Sequence, residues 1–445
     1  MFATSPRQSC SAPSRLFFGT LSSGKSLTAI LVSLVAGVLL LGSGGSAAAQ
    51  QWTLQEALSR ALAVSPALGQ AEGSVQRYVG ELDAAGRWPN PRAEIVAGDE
   101  LGQELGDDDW RLQGISLSQR LPISGRIGAR RNAAQATLEA ARAERAATAL
   151  AVERRAAEVF YRLQAAQQEV ALAERHLERA RGFASIAARR AELGDISERA
   201  RQRIGVLAAE AEAAYQDARR NKRVAQQRLI TLLQLDTDAD PQLPPLSEPA
   251  PPSSAPRVGA EESAHPELSA ARAQTEAAEY RVAQARAARI PDLELRLGRE
   301  SFVLGGKRES AYTVGVGVEI PLWRLGNGEL EARRGEARRS RQAQQATQRT
   351  LRGDQAVSYA QLTGLLARIA DHEAAVLAPA RAVLRQTREG YRSGDLGQTE
   401  LIDAAETVRR AEQDRRELLL QAHIQAVQLR WVRGERVSDL AEQEG

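Results

Sequence analysis

Two carboxylates in the second half of the chain, Glu400 and Asp403, are close together in the sequence. They follow the turn Ser393-Gly394-Asp395 and lie three residues apart, so a helix would place both on one face. Grouped carboxylates attract cations and repel anions. Acidic residues also suit the first turn of any helix because they interact favourably with its dipole. The pair therefore has an ordinary structural explanation beside the functional one.

Enzymatic chemistry has no support in the sequence. We find no nucleophile elbow, no phosphate-cradling glycine loop and no cluster of histidine and carboxylate ligands. The four histidines, at positions 176, 265, 372 and 423, are scattered and are expected to pack inside the fold or lie at its surface. We therefore predict that the protein is not an enzyme and has no catalytic, cofactor-binding or metal-ligating residues.

Residues 1–49 are predicted to form a secretory signal peptide. Basic residues precede an apolar run from Leu27 to Leu41, and small residues follow up to a cleavage site at Ala49-Gln50. The run is short for a spanning helix, which takes roughly 20 residues; a retained anchor is the alternative. The three basic residues of this segment account for the whole formal charge of +3. The neutral remainder argues against a nucleic-acid partner.

The rest of the chain is predicted to contain two copies of one unit, with matching features about 200 residues apart. The first repeat, 50–235, has predicted strands at 92–98 and 110–121, a long helix at 126–192 and a return helix at 197–235. The second repeat, 257–435, has predicted strands at 292–300 and 311–320, a long helix at 329–392 and a return helix at 399–433.

Three further segments complete the predicted organisation. Residues 236–256 are rich in proline and serine and are expected to form an extended linker. Residues 301–310 are predicted to be a hairpin loop, and 436–445 a C-terminal tail. Pro379 is expected to kink the second long helix.

The strand that begins at Tyr312 has one apolar and one polar face. Its apolar residues alternate with small or polar ones, and are Tyr312, Val314, Val316, Val318 and Ile320. This pattern suits a wall between lipid and water, although a soluble sheet shows the same alternation. Four strands do not close a barrel, and open edges are not tolerated in lipid. If the strands span a membrane, several copies of the chain must therefore contribute their strands to one closed barrel.

The long helices are predicted to project into water. A helix over 126–192 would be roughly 100 Å long, far longer than a bilayer is thick, and it is rich in Arg and Glu. Apolar and alanine residues recur every seven positions from Val152, which is typical of a coiled-coil seam. An exported, neutral chain with strands at one end and paired helices at the other is consistent with a conduit.

The sequence resembles the outer membrane factor family, the TolC-like channels of tripartite efflux and type I secretion. The resemblance covers essentially the whole mature chain. It is carried by Trp52-Thr53-Leu54-Gln55-Glu56-Ala57-Leu58 with Ser65-Pro66, and by Gly390-Tyr391-Arg392-Ser393-Gly394-Asp395 leading into Glu400-Leu401-Ile402-Asp403-Ala404.

This resemblance implies a mainly α fold with a small β part, built from a TolC-like duplicated unit. Long coiled-coil helices would form a periplasmic α-barrel, and four strands per chain would join a trimeric 12-stranded transmembrane β-barrel. It also implies an outer membrane location in a Gram-negative bacterium, with a large periplasmic part. The implied partners are two further copies of the chain, a periplasmic adaptor (a membrane fusion protein), and an inner-membrane pump, together with outer membrane lipid.

The same resemblance implies roles for individual residues. In the family, acidic residues just after the second glycine turn narrow the periplasmic mouth, and Glu400 and Asp403 hold those places here. Tyr391 matches a tyrosine that helps to hold the closed state. The first repeat has Ala200 and Arg203 at the equivalent places, so it does not repeat the carboxylate pair. The expected adaptor-docking tips are the two turns, Leu193, Gly194, Asp195 and Ser393, Gly394, Asp395.

The expected cargo is heavy-metal cations. The segment Leu121-Pro122-Ile123-Ser124-Gly125-Arg126 resembles the branch that serves RND pumps of the cobalt–zinc–cadmium type, although the second repeat does not keep it. Drug or solvent efflux and type I secretion are the alternatives. A periplasmic adaptor is a less favoured interpretation, because it would normally have one helical hairpin between β domains. A structural coiled coil does not account for the signal peptide and the paired strands.

Overall fold

The computed structural model describes residues 51–98, 111–237, 239–252, 265–304, 307–318 and 328–439. The predicted signal peptide, residue 320 and residues 440–445 lie outside these ranges. Among the described helices, none is both long enough and apolar enough to cross a membrane.

The described residues of the first repeat form four helices and two strands. In chain order they are α1 (Leu54–Val64), α2 (Pro66–Ala85), β1 (Arg92–Gly98), β2 (Arg111–Leu121), α3 (Arg126–Glu192) and α4 (Glu198–Leu233). A capping box starts α1: the Glu56 amide donates to the Thr53 hydroxyl at 3.2 Å, and the Thr53 amide donates to the Glu56 carboxylate at 2.9 Å. Ser65 caps α2, and Pro66 occupies its first turn, where no amide donor is needed.

The second repeat follows the same order. Its elements are α5 (Pro266–Ala287), β3 (Leu293–Leu304), β4 (Lys307–Val318), α6 (Gly328–His372), α7 (Ala378–Ser393) and α8 (Gln398–Arg433). A π-helical turn, Glu373–Leu377, separates α6 from α7 immediately before Pro379. Proline lacks the amide that would continue the α-helical ladder. The helix therefore widens into a π-helical turn where Pro379 interrupts its hydrogen bonds.

The four strands form one antiparallel sheet in the order β1-β2-β3-β4. Leu121 pairs with Leu293, and Leu293 with Val318, so the two repeats meet between β2 and β3. The prediction of a loop over 301–310 is wrong, because β3 and β4 stay paired as far as Leu304 and Lys307. Only two residues, both glycine in the sequence, lie between them. Such a pair favours a tight hairpin.

The longest helix, α3, contacts α2, α4, α5 and α8, and α6 packs against α5 and α8. The largest apolar cluster lies midway along α3 and includes Phe160, Leu163, Leu229, Ile369 and Val427. Alanine fills many of the other buried positions, including Ala156, Ala157 and Ala422. Small side chains let the helix backbones approach closely.

An ion pair joins the sheet to the helices. Gly125, with φ +74°, precedes α3, and this left-handed conformation favours glycine. The next residue, Arg126, donates to the buried carboxylate of Asp292 at 2.5 Å. The contact connects the start of α3 to the start of β3. It therefore helps to hold the sheet in place against the helices.

The predicted linker lies against the helices through a row of glutamine side chains. The amide groups of Gln167, Gln164 and Gln168 donate to the backbone carbonyls of Pro241, Pro244 and Leu246 at 2.9 to 3.0 Å. His423 also contacts the linker, with its Nε2 2.8 Å from the Ser247 carbonyl oxygen. Side chains of α3 and α8 thus supply the hydrogen bonds that the extended segment does not make within itself.

Candidate functional site

The two repeat turns have nearly the same backbone geometry. Gly194 and Gly394 adopt φ values of +79° and +92°, in the left-handed region that favours glycine after a helix. The amides of Asp195 and Asp395 donate back to the carbonyls of residues 190 and 390, each at 2.8 Å. The chain reverses here from α3 into α4 and from α7 into α8, so both turns lie at helix ends.

The second turn is closed more tightly than the first. A Cβ atom at Gly390 would lie only 2.8 Å from Cδ1 of Leu396, so a larger residue would push this leucine away. The first repeat has Arg190 at the equivalent place. The two turns therefore share a backbone form but differ in side-chain packing.

Arg190 contacts Tyr391 across the two repeats. Its guanidinium carbon lies 5.0 Å from the centre of the tyrosine ring, and its Nη1 donates to the Tyr391 carbonyl at 2.9 Å. The ring is 1% exposed, and burial raises the pKa of its hydroxyl. That hydroxyl makes no hydrogen bond with the described residues. Within one chain, Tyr391 is held by its ring and its backbone rather than by its hydroxyl.

Apolar side chains from four helices pack around Tyr391. The cluster, which we call the tip cluster, contains Phe183, Ala187, Ile204, Ala380, Leu384, Tyr391, Leu401, Ala404 and Val408. Its members come from α3, α4, α7 and α8. The end of the bundle is therefore a small core that any change in helix position would disturb.

Glu400 and Asp403 lie on the exposed side of α8, with Leu401 and Ala404 buried in the tip cluster on the other side. Neither carboxylate pairs with a basic residue in the described part of the chain. In the first repeat, Ala200 is buried and Arg203 is exposed. The carboxylates are therefore free to act on ions or on another chain.

Glu412 is the centre of a partly buried charge cluster that sequence reasoning missed. Its carboxylate accepts hydrogen bonds from Arg179 at 3.2 Å and Arg381 at 2.9 Å, and it lies 3.4 Å from Nε2 of His176. Burial alone would raise the pKa of Glu412, but the two arginines lower it below its usual value. Burial, reinforced by Arg179, lowers the pKa of His176 to about 4. Since Arg179, Arg381 and Glu412 belong to α3, α7 and α8, the cluster ties the tip-forming helices together.

At the other end of the bundle, one face of the sheet is apolar and exposed. Tyr312 and Val314 are each 80% exposed, Val316 is 67% and Val318 is 49% exposed. Ile320 lies outside the described residues. Exposed apolar residues on the neighbouring strands continue this face, and are Ile95, Ile115, Leu117, Leu295 and Leu297. We call this surface the apolar face; the opposite side carries residues such as Glu294, Arg296 and Thr313.

The apolar face ends at one row across the sheet. Arg299 pairs with Tyr312 in the strand register and also with Ile115, which pairs in turn with Ile95. The Arg299 guanidinium lies 5.9 Å from the centre of the Tyr312 ring, within the range of cation–π attraction. Beyond this row the sequence of β4 reads Lys307-Arg308-Glu309-Ser310. An aromatic and a cation at the border of an apolar band are typical of a membrane interface.

We expect loss of the Arg190 side chain to loosen the second turn. In Arg190→Ala, the amides from Gly390 to Leu396 should exchange hydrogen roughly tenfold faster, because a cation–π contact and a hydrogen bond, together about 1–2 kcal/mol, are lost. Hydrogen-exchange mass spectrometry measures this. The control is Arg189→Ala, which removes an exposed side chain one residue away. Equal exchange in both variants would contradict the assigned contact.

Comparison with known proteins identifies the class. The profile described as outer membrane efflux protein matches residues 57–234 and again 260–435, one match for each repeat. The chain therefore belongs to the outer membrane efflux protein family. A comparison with curated protein sequences found no match.

Solved structures share this fold. The chain is similar to VceC from Vibrio cholerae, with a TM-score of 0.74 and 19% identity over 86% of this chain and 96% of that one. For CusC the TM-score is 0.72 and the identity 16%, over 86% and 92%. For the open state of MtrE from Neisseria gonorrhoeae they are 0.69 and 19%, over 86% and 89%. The predicted fold class, mainly α and TolC-like with a small four-stranded sheet, is confirmed.

Proposed function

We propose that the protein is the outer membrane exit duct of a tripartite efflux system, which conducts its cargo passively from the periplasm to the exterior. The observation that carries this proposal is the apolar face, which is continuous over four strands and exposed. Within the described chain, β1 and β4 each pair on one side only. A sheet with an exposed apolar face and two open edges is stabilised in lipid when further copies close it.

Three copies are proposed to close the barrel, with twelve strands in all. Family resemblance supports the number three, whereas pairing of the open edges requires only that β4 of one copy meets β1 of the next. Two copies would give eight strands, which also suffices for a small membrane barrel. Mass measurement of the detergent-solubilised protein distinguishes the two assemblies directly.

Membrane fractionation and conductance test the function itself. The full-length protein should fractionate with outer membranes, migrate as a heat-resistant trimer in detergent, and conduct ions in planar bilayers. A monomer that leaves the membrane fraction and conducts no ions would refute the proposal. It would also distinguish a duct from a periplasmic adaptor or a structural coiled coil.

The periplasmic mouth is proposed to be gated by Glu400 and Asp403. Threefold symmetry would arrange the free carboxylates as two rings, and such rings attract cations. Tyr391, packed in the tip cluster, is proposed to help hold the closed state. The Glu412 cluster supports this role, because it holds α7 and α8 against α3.

Replacing both Glu400 and Asp403 with alanine should widen the closed mouth and weaken block by divalent cations. We expect higher single-channel conductance and roughly tenfold weaker block, since two carboxylates per chain are lost. Asp414 and Glu417 are also three residues apart on α8. Their double alanine variant is therefore the matched control. Unchanged conductance and block in the first variant would remove the case for a carboxylate gate.

The two repeat turns are proposed to dock a periplasmic adaptor, which would connect the duct to an inner-membrane pump. Support comes from their exposure: Leu193 is 77% exposed although it is apolar. Residues Leu193, Gly194, Asp195 and Ser393, Gly394, Asp395 form the proposed contact. Loss of adaptor cross-linking in turn variants that still conduct ions would test this role separately from the pore.

Heavy-metal cations are the proposed cargo, exported with an RND pump. The support is the segment from Leu121 to Arg126, together with the cation-attracting pair at the proposed mouth. The test is growth of a deletion strain on graded zinc, cadmium, cobalt and copper, with several antibiotics in parallel. Sensitivity to antibiotics alone would favour drug efflux instead.

A further inference from the structure

A groove of about 520 Å³ lies between α5 and α6. Its charged lining consists of four arginines and two glutamates: Arg286, Arg334, Arg338, Arg341, Glu279 and Glu331. Small apolar side chains, including Ala283 and Ala337, form the rest of its wall. Because both walls belong to one chain, the groove is complete in a single copy.

The charges in this groove do not balance. Arg334 pairs with Glu331 at 2.5 Å, and Arg341 pairs with Glu279 at 2.9 Å. Arg286 and Arg338 have no acidic partner among the described residues. Both are exposed, so neither is neutralised by the fold. Two guanidinium groups without an acidic partner thus line the same groove.

The groove lies next to the end of the sheet where the helices begin. α5 ends at Ala287, and β3 begins six residues later at Leu293, which pairs with Val318 at the end of β4. From Gly328, the start of α6, the helical rise to Arg334 is about 9 Å and to Arg338 about 15 Å. The lipid headgroup layer adds roughly 5–8 Å to each side of the hydrocarbon core. Long arginine side chains can extend toward that layer along the helix surface.

We propose that this groove binds the phosphate of an anionic phospholipid headgroup at the periplasmic face of the membrane. Guanidinium groups form paired, charge-assisted hydrogen bonds with phosphate oxygens, and Arg286 and Arg338 supply two such groups. The acyl chains of the same lipid would lie along the apolar face, which has Val318 at the helix end of the sheet. The inference rests on the proposed placement of the sheet in lipid, because only that placement brings a headgroup to this level.

The test uses the full-length protein, purified in detergent and delipidated. Phosphatidylglycerol is added and bound lipid is counted by native mass spectrometry, with the shift in melting temperature as a second readout. We expect the protein to retain phosphatidylglycerol and to be stabilised by it. The double variant Arg286→Gln with Arg338→Gln should bind it about tenfold more weakly or worse, because charged hydrogen bonds are lost.

A matched control removes the same charge elsewhere on α6. Arg339 and Arg349 are exposed and do not line the groove, so Arg339→Gln with Arg349→Gln should bind the lipid like the unaltered protein. Equal weakening in both double variants would overturn the proposal, since it would indicate nonspecific charge attraction. Equal stabilisation by inorganic phosphate alone would also overturn it, in favour of a free-anion site.

Conductance of the same samples tests the proposed duct independently of the lipid site. A groove variant that conducts normally but loses the lipid supports the site and leaves the duct intact. An unaltered protein that conducts but retains no phosphatidylglycerol overturns the lipid site alone.

Discussion

Replacing Arg436 with alanine is expected to destabilise the folded chain by about 3 kcal/mol, the lower end of the range for breaking a buried ion pair. Glu153, in the middle of α3, is 0% exposed. Its carboxylate accepts hydrogen bonds from Nε and Nη2 of Arg436 at 2.9 and 2.6 Å, and from the Val437 amide at 2.9 Å. Without Arg436, a buried carboxylate keeps a single amide donor. We use the lower end of the range for this cost because the Arg436 side chain is 57% exposed.

The control for this variant is Glu435→Ala. Glu435 is the neighbouring residue. Its side chain is 42% exposed and only reaches Arg433 at 3.9 Å, and the buried Arg433 has a further partner, so the loss of Glu435 should cost less than about 1 kcal/mol. Chemical denaturation at a fixed protein concentration measures both effects, and hydrogen exchange at Val437 localises them. If both substitutions cost the same, the buried pair does not anchor the C-terminal segment.

Introducing arginine at Val316 is expected to cost roughly 2–4 kcal/mol in a bilayer, the range for a lipid-facing charge near the midplane. The apolar residues of this face run from Tyr312 to residue 320 in the sequence, which makes Val316 the central one. The matched substitution is Thr313→Arg, on the opposite face of the same strand, where the proposed lumen is wet. It should cost much less. Refolding into vesicles under urea measures both values, and similar losses at 313 and 316 would argue against a membrane wall.

Local patterns in the sequence predicted the elements of this fold well. The alternation at Tyr312–Val318 depends only on neighbouring residues, and it appears in the structure as part of β4. The strands of this hairpin were predicted too short, with a loop over 301–310, because polar and glycine residues were given more weight than strand pairing. In that position, two glycines between pairable segments indicated a two-residue connection.

Contacts between residues far apart in the chain could not be predicted from the sequence. Arg190 reaches Tyr391 from the other repeat, and Glu153 meets Arg436 almost 300 residues later. The Glu412 cluster draws on three helices in the same way. A single sequence shows which residues are charged but not which become neighbours. The carboxylates at 400 and 403 were singled out through the family resemblance, since their spacing alone also suits an ordinary helix start.

The unlike charges of the two repeat turns have a consequence for any ring-shaped partner. The turn after α3 leads into Arg199, Arg201 and Arg203, whereas the turn after α7 leads into Glu400 and Asp403. With three copies around an axis, six tips would alternate between basic and acidic. A sixfold ring of identical subunits would therefore face two different binding surfaces, and its subunits would have to adopt two alternating modes of contact.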